Sequence, residues 1–286
     1  MEPPDTVAGY RRDDLLRSKL RKPKVSVRKL GQYVRWLNTL RVWPSALEVS
    51  SLHGEMRNGL LLCKLMKELV PKTEYKGLND RPLSQRPAIA NLEQALGVIW
   101  TSRRVNNTRV PSALDVYTGK QEKIAMLVQE IFEVYVMRDL RAPLNMSSML
   151  EWFDGVLKQY DRPLPASSLK PPFSHLWEAF RSGVNLFLVV LHFTGQLATA
   201  VATNGDSLRA DPAAPEAVVD SARIIANPTE LAQAVHNTEE VFALLRACGI
   251  DLLWTAEDWV SFPDDDFVVL QLHRVFSHFR DRECAL

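Results

Sequence analysis

The stretch "MRNGLLLCKLM" at 56–66 sets a polar step, Arg57-Asn58-Gly59, directly before a densely apolar run. The chain does the same at 180–193, where "FRSGVNLFLVVLHF" places Arg181-Ser182-Gly183 before a second such run. Leu60, Leu61, Leu62, Leu65, Met66 and Leu69 leave hardly any polar face, so this segment reads as a helix at the centre of a bundle. A chain entering a helix buried on most sides has to turn sharply, and glycine permits the turn. Asn58 and Ser182 are suited to cap the helix that follows. One such step is only a turn. Two, each preceded by a Trp-bearing segment and followed by an Asn-started helix, predict a duplicated domain.

The segments around each step extend the pattern. "RKLGQYVRWLNTL" puts Leu30, Tyr33, Val34, Leu37 and Leu40 on one helical face. "RPAIANLEQALGVIW" is amphipathic, and "KQEKIAMLVQEIFEVYVMRD" closes the first half with a stripe of Ile124, Leu127, Val128, Ile131 and Tyr135. The second half restarts at Ser148, where Ser148-x-x-Glu151 has capping-box spacing before Trp152, Phe153, Val156 and Leu157. Asn237-x-x-Glu240 reads as another cap. Asp264 to Asp266 stand at the positive end of a last helix carrying Val268, Leu272, Val275 and Phe279. Residues 195–226 are Ala-rich with breakers and read as an insertion. Strand signals are weak, so both halves are predicted all-α. Trp36, Gly59, Asn91 and Asp115 of the first half line up in order with Trp152, Gly183, Asn237 and Asp258 of the second.

Charge divides the chain where the bundles divide. Residues 1–145 hold 25 Lys and Arg against 15 Asp and Glu, a net of +10; residues 146–286 hold 10 against 19, a net of −9. The basic half suits an acidic partner, and its leader is the densest part: Lys19, Arg21, Lys22, Lys24, Arg28 and Lys29, with Arg35 just beyond. The acidic half can fold back on the first as a latch or face a basic partner.

Several classes are disfavoured. The longest apolar stretch, near 186–193, is far short of the roughly 20 residues a bilayer span needs. The N-terminus has no apolar signal-peptide core. Three sparse cysteines (Cys63, Cys248, Cys284) argue for a reducing, cytosolic setting, with Cys63 a packing residue. Gly119-Lys120 is no phosphate loop, because Leu114 and Gln121 stand where Gly and Ser or Thr would have to be. His273 and His278, five apart, do not share a helix face, and the aspartate triplet is better read as dipole acids than as a calcium site. Trp36, Trp100, Trp152 and Trp177 read as core. No catalytic constellation, metal site, cofactor or nucleic-acid partner is expected.

In sequence the chain resembles tandem calponin homology domains. "YVRWLNTL", "EMRNGLLLCKLMKELVP", "AIANLEQALGVI" and "ALDVYTGKQEKIAMLVQEIF" are similar to the family's Trp-Asn opening helix, Asp-Gly-Leu-Leu step, Asn-bearing helix and closing turn. "NTEEVFALLRACGIDLLWTAEDWVSFPDDDFVVLQLHRVF" is similar to the end of a second, more divergent copy. The resemblance implies a basic arm at 1–26, a first domain at 27–140, a linker at 141–147, a second domain at 148–281 and a tail at 282–286. It also implies a non-enzymatic cytoskeletal module that docks on an acidic filament through Lys19, Arg21, Lys22, Lys24, Arg28, Lys29 and Arg35. Many family members bind F-actin through the first domain; others bind microtubules, including proteins of cilia and flagella. Here "NNTRVPSALDVYTG" and "IAMLVQEIF" stand where actin binders carry "VNIG" and "LGLIW", which tilts the expectation toward tubulin and the axoneme. The alternatives are F-actin binding or cross-linking, or a protein-docking scaffold. The acidic second domain would serve further cytoskeletal partners.

Overall fold

A computed structural model describes residues 25–101, 109–194, 201–203, 207–209, 224–262 and 264–283. In the first bundle, α1 (Val27–Thr39) starts on Ser26, whose hydroxyl accepts the Lys29 N–H. It is followed by α2 (Leu52–Met56), α3 (Leu60–Leu69), α4 (Gln85–Thr101), α5 (Ala113–Tyr117) and α6 (Gln121–Phe132). The chain then passes through one π turn at Glu133–Met137 and a last helical turn at Arg138–Leu140. The second bundle has α7 (Pro143–Lys158), α8 (Ala166–Leu169), α9 (Leu176–Phe180), α10 (Val184–Thr194), α11 (Leu231–Ala247), α12 (Ala256–Ser261) and α13 (Asp265–Glu283). The fold is all-α: two similar helical bundles in tandem. Each apolar run is the centre of its bundle. Leu61, Leu62, Cys63, Leu65 and Met66 of α3 are buried, as is every residue from Leu186 to Leu191 of α10.

The duplication is visible bond by bond. Gly59 and Gly183 have φ of +79° and +76°, a conformation that only glycine adopts freely. Each also lies against the backbone of a neighbouring helix. A Cβ on Gly59 would sit 2.7 Å from the Asn91 Cβ and the Leu92 nitrogen, and one on Gly183 would sit 3.0 Å from the Thr238 nitrogen. In each bundle that neighbouring helix contributes one buried asparagine. Asn91 Nδ2 donates to Asn58 O (3.2 Å) and Asn79 O (2.9 Å), and its Oδ1 accepts from Asn79 N (3.0 Å). Asn237 Nδ2 donates to Ser182 O (3.2 Å) and Ile225 O (2.9 Å), and its Oδ1 accepts from Ile225 N (2.8 Å). The same three bonds tie the glycine step to the central helix pair twice.

Two more pairs repeat. Arg57 Nε donates to Tyr117 O at 2.7 Å and Arg181 Nε to Val260 O at 2.9 Å. Ser112 and Thr255 each cap a short helix by accepting the N–H of Asp115 or Asp258, both at 3.1 Å.

Four expectations change. Asn91 and Asn237 do not start helices; both lie inside them, since α4 begins at Gln85 and α11 at Leu231. The start of α11 is satisfied instead by Gln233 Oε1, which accepts from Thr229 N (2.8 Å) and Glu230 N (3.2 Å). Ser148 is likewise inside α7, which begins at Pro143, where the missing N–H costs nothing and φ is already helical. The residues 143–147 assigned to a linker are therefore helical, and only Arg141 and Ala142 separate the two bundles. Finally, the described parts of the 195–226 insertion hold three short antiparallel strands, β1 (Val201–Thr203), β2 (Ser207–Arg209) and β3 (Ile224–Ile225), in the order β1-β2-β3. Strands of two or three residues are too short to show an alternating pattern.

Candidate functional site

Of the basic residues expected to form a docking surface, three lie where the two bundles meet. Helix α1 buries Leu30, Tyr33, Val34, Trp36 and Leu37 and turns Arg28, Lys29 and Arg35 toward the second bundle. Arg35 donates to Asp258 Oδ2 at 2.9 Å. Arg28 reaches Asp258 Oδ1 at 3.8 Å and lays its guanidinium 3.1 Å from the centroid of the Phe262 ring. Lys29 Nζ bridges Asp264 (3.2 Å) and Asp266 (3.6 Å), and Asp266 also pairs with Arg141. At the far end Arg41 pairs with Asp251 at 3.6 Å, and Arg274 of α13 donates to Thr39 Oγ1 at 2.6 Å. Lys19, Arg21, Lys22 and Lys24 lie outside the described residues.

Beneath this ionic rim is an apolar centre. Phe267, at the start of α13 and fully buried, stacks on Phe132 (4.7 Å between centroids) and tilts against Tyr33 (5.4 Å), while Tyr33 meets Phe132 edge-on at 5.3 Å. Burial and the charges of Glu133 and Asp264 raise the Tyr33 phenol above its usual range, so it stays protonated. Magnitudes separate the two layers. The rim cations are a quarter or more exposed, and such pairs are worth roughly 0–1 kcal/mol each. Burying one Phe side chain contributes about 1.5–3 kcal/mol, and each aromatic pair adds about 0.5–1.5 kcal/mol. The rings hold the bundles together; the ion pairs set which faces meet.

Phe267, Phe262, Asp258 and Asp251 were not singled out as contacts by the sequence, and Asp264 and Asp266 stood only as helix-dipole acids. The signal that could have found them is the opposite net charge of the halves, +10 and −9, which implies electrostatic attraction between them. Of the four tryptophans read as core, Trp36 is buried, Trp152 and Trp177 are half-buried and Trp100 is 42% exposed. Cys63 is buried, donates to Asn91 O at 3.3 Å, and its thiol is pushed up to about 12 by burial. No group of three His, Cys, Asp or Glu side chains is placed to hold a metal ion among the described residues. No helix described is long and apolar enough to cross a membrane.

Two bundles that repeat one hydrogen-bond scheme, joined by a basic helix on an acidic face, define a tandem helical module. Residues 29–136, most of the first bundle, match the family described as the calponin homology (CH) domain. Among solved structures the chain is similar to the actin-crosslinking core of Schizosaccharomyces pombe fimbrin. The TM-score is 0.55 at 17% identity, covering 88% of this chain and 48% of that one. The chain thus spans about half the length of that structure, and the likeness is one of fold. No curated protein sequence matches the chain.

Proposed function

We infer that the protein is a cytoskeletal filament-binding module, non-enzymatic, in which the basic first domain docks on an acidic filament and the acidic second domain restrains it. The observation that carries this reading is the pairing of Arg28, Lys29 and Arg35 with Asp258, Asp264 and Asp266. A filament using these cations has to compete with carboxylates the chain itself supplies. F-actin is the first reading, supported by the likeness to an actin-crosslinking core. Tubulin, with a place in cilia or flagella, is the second, favoured by the departures at "NNTRVPSALDVYTG" and "IAMLVQEIF" from the actin-binding pattern. Cytoplasmic, cytoskeleton-associated localisation follows from either.

Co-sedimentation tests the reading. Reversing Asp258 and Asp264 to lysine removes two of the three carboxylates that hold the α1 cations and leaves Asp266 to Lys29, so pelleting should increase. Charge reversal of Lys22, Lys24 and Lys29 should decrease it by much more than a surface change in the second domain. Equal effects at both places would refute the assignment of the contact to the first domain.

A further inference from the structure

The duplicated fold provides its own control for which surface residues the architecture requires. A groove of about 210 Å³ lies beside the Asn58-Gly59 step, lined by Arg57, Asn58, Pro82, Leu83, Ser84 and Tyr117 among others. It is smaller than the roughly 300–1,000 Å³ usual for small-molecule sites, and suits a single side chain of a macromolecule. Leu83 is 96% exposed at its edge, and Leu114, on the same side of α5 as Tyr117, is 52% exposed. Large aliphatic side chains in such positions lose nothing by being replaced with polar ones, and the second copy shows this. Counting from Asn91 and Asn237, Leu83 corresponds to Thr229, Arg81 to Asn227 and Arg86 to Ala232. Counting from Asp115 and Asp258, Leu114 corresponds to Glu257. The scaffold is satisfied by polar, uncharged or acidic residues at all four places, yet the first copy has two leucines and two arginines there.

Arg57 is the fixed point of this face. Its Nε donates to Tyr117 O and its guanidinium lies 5.6 Å from the centroid of the Tyr117 ring. Its terminal NH2 groups make no hydrogen bond among the described residues. Arg81 and Arg86 are exposed and carry no ion pair among the described residues. No carboxylate lines the groove among the described residues. A held guanidinium loses little freedom on binding, and Arg and Tyr beside a pocket are side chains enriched at anchor points, with the exposed Leu83 adding apolar area at the edge.

We propose that this face of the first domain docks an extended acidic segment of a partner protein, one aliphatic side chain seating against Leu83 and Tyr117 and flanking carboxylates meeting Arg57, Arg81 and Arg86. The face is separate from the α1 cations at the inter-domain joint, so it is available while the two domains are in contact. The test is titration of the full chain, labelled at leucine methyls and arginine Nε, with a synthetic peptide of glutamates carrying one central leucine. Shifts should concentrate at Leu83, Leu114 and Arg57. The L83S and R86E variants, both changes at exposed positions, should each weaken binding roughly tenfold. A peptide of glutamates alone should bind more weakly than the leucine-bearing one. Shifts spread evenly over exposed cations and unchanged by L83S, or no shifts at all, would overturn the proposal. Filament pelleting of L83S and R86E, measured in parallel, reports on the filament reading separately.

Discussion

Alanine substitutions at three glycines separate two costs that usually come together. Gly59, Gly183 and Gly249 all have positive φ, at +79°, +76° and +81°. A side chain in that region costs roughly 1–2 kcal/mol by itself. At Gly249 an added Cβ meets nothing within 4 Å, so G249A should lose only that. At Gly59 the Cβ would lie 2.7 Å from two atoms of the α4 helix, one of them backbone, and neither can move without shifting the helix that holds Asn91. Overpacking of this kind costs about 1–3 kcal/mol more, so G59A should lose about 2–5 kcal/mol in total. The nearest contacts at Gly183 are 3.0 Å, which places G183A between the other two. Urea denaturation, followed by circular dichroism with slopes compared across variants, gives the three differences. If G59A and G249A are equally destabilised, the close approach of the glycine step to the asparagine helix is not what the fold depends on.

Three further outcomes follow from the same geometry. F267A should loosen the joint between the domains by about 3–5 kcal/mol, while a double-mutant cycle on Arg35 and Asp258 should give a coupling of roughly 0.2–1 kcal/mol; a larger coupling than ring loss would invert the account of what holds the joint. His53 and His273 are both lowered below 6.5, first by burial, so they fold in the neutral form. Above that pH neither state binds their protons; below it the unfolded chain protonates first, so the melting temperature should fall as pH drops from 6.5 toward the folded values, and an H53Q/H273Q variant should show a shallower fall. An unchanged slope would assign the acid limb to other groups. Cys63, with its thiol pushed up to about 12, should react with a thiol reagent only as fast as the protein opens, whereas rapid native-state labelling would contradict its burial.

Much of the architecture is written in local pattern. The Arg-x-Gly steps at 57–59 and 181–183, the apolar runs behind them and the order Trp, Gly, Asn, Asp in each half all reflect short-range periodicity, and the structure gives the Gly, Asn and Asp pairs equivalent places. What the chain does not display locally is what distant side chains do to one another. Asn91 and Asn237 look like caps because asparagine favours helix starts, yet each is drawn inside a helix by three bonds to backbone twelve and more residues away. Ser148-x-x-Glu151 has the right spacing, but Pro143 starts that helix earlier. The basic stripe of α1 was legible as charge; its partners on α12 and α13, more than 220 residues along, were not.

The measurement closest to the central claim is co-sedimentation of the chain, and of its D258K/D264K variant, with F-actin and with microtubules at low and moderate salt. The account predicts that the protein pellets with an acidic filament, less so as salt screens the attraction over roughly 8–10 Å, and that the variant pellets more strongly than the native chain. Failure of both proteins to pellet with either filament at low salt would contradict it.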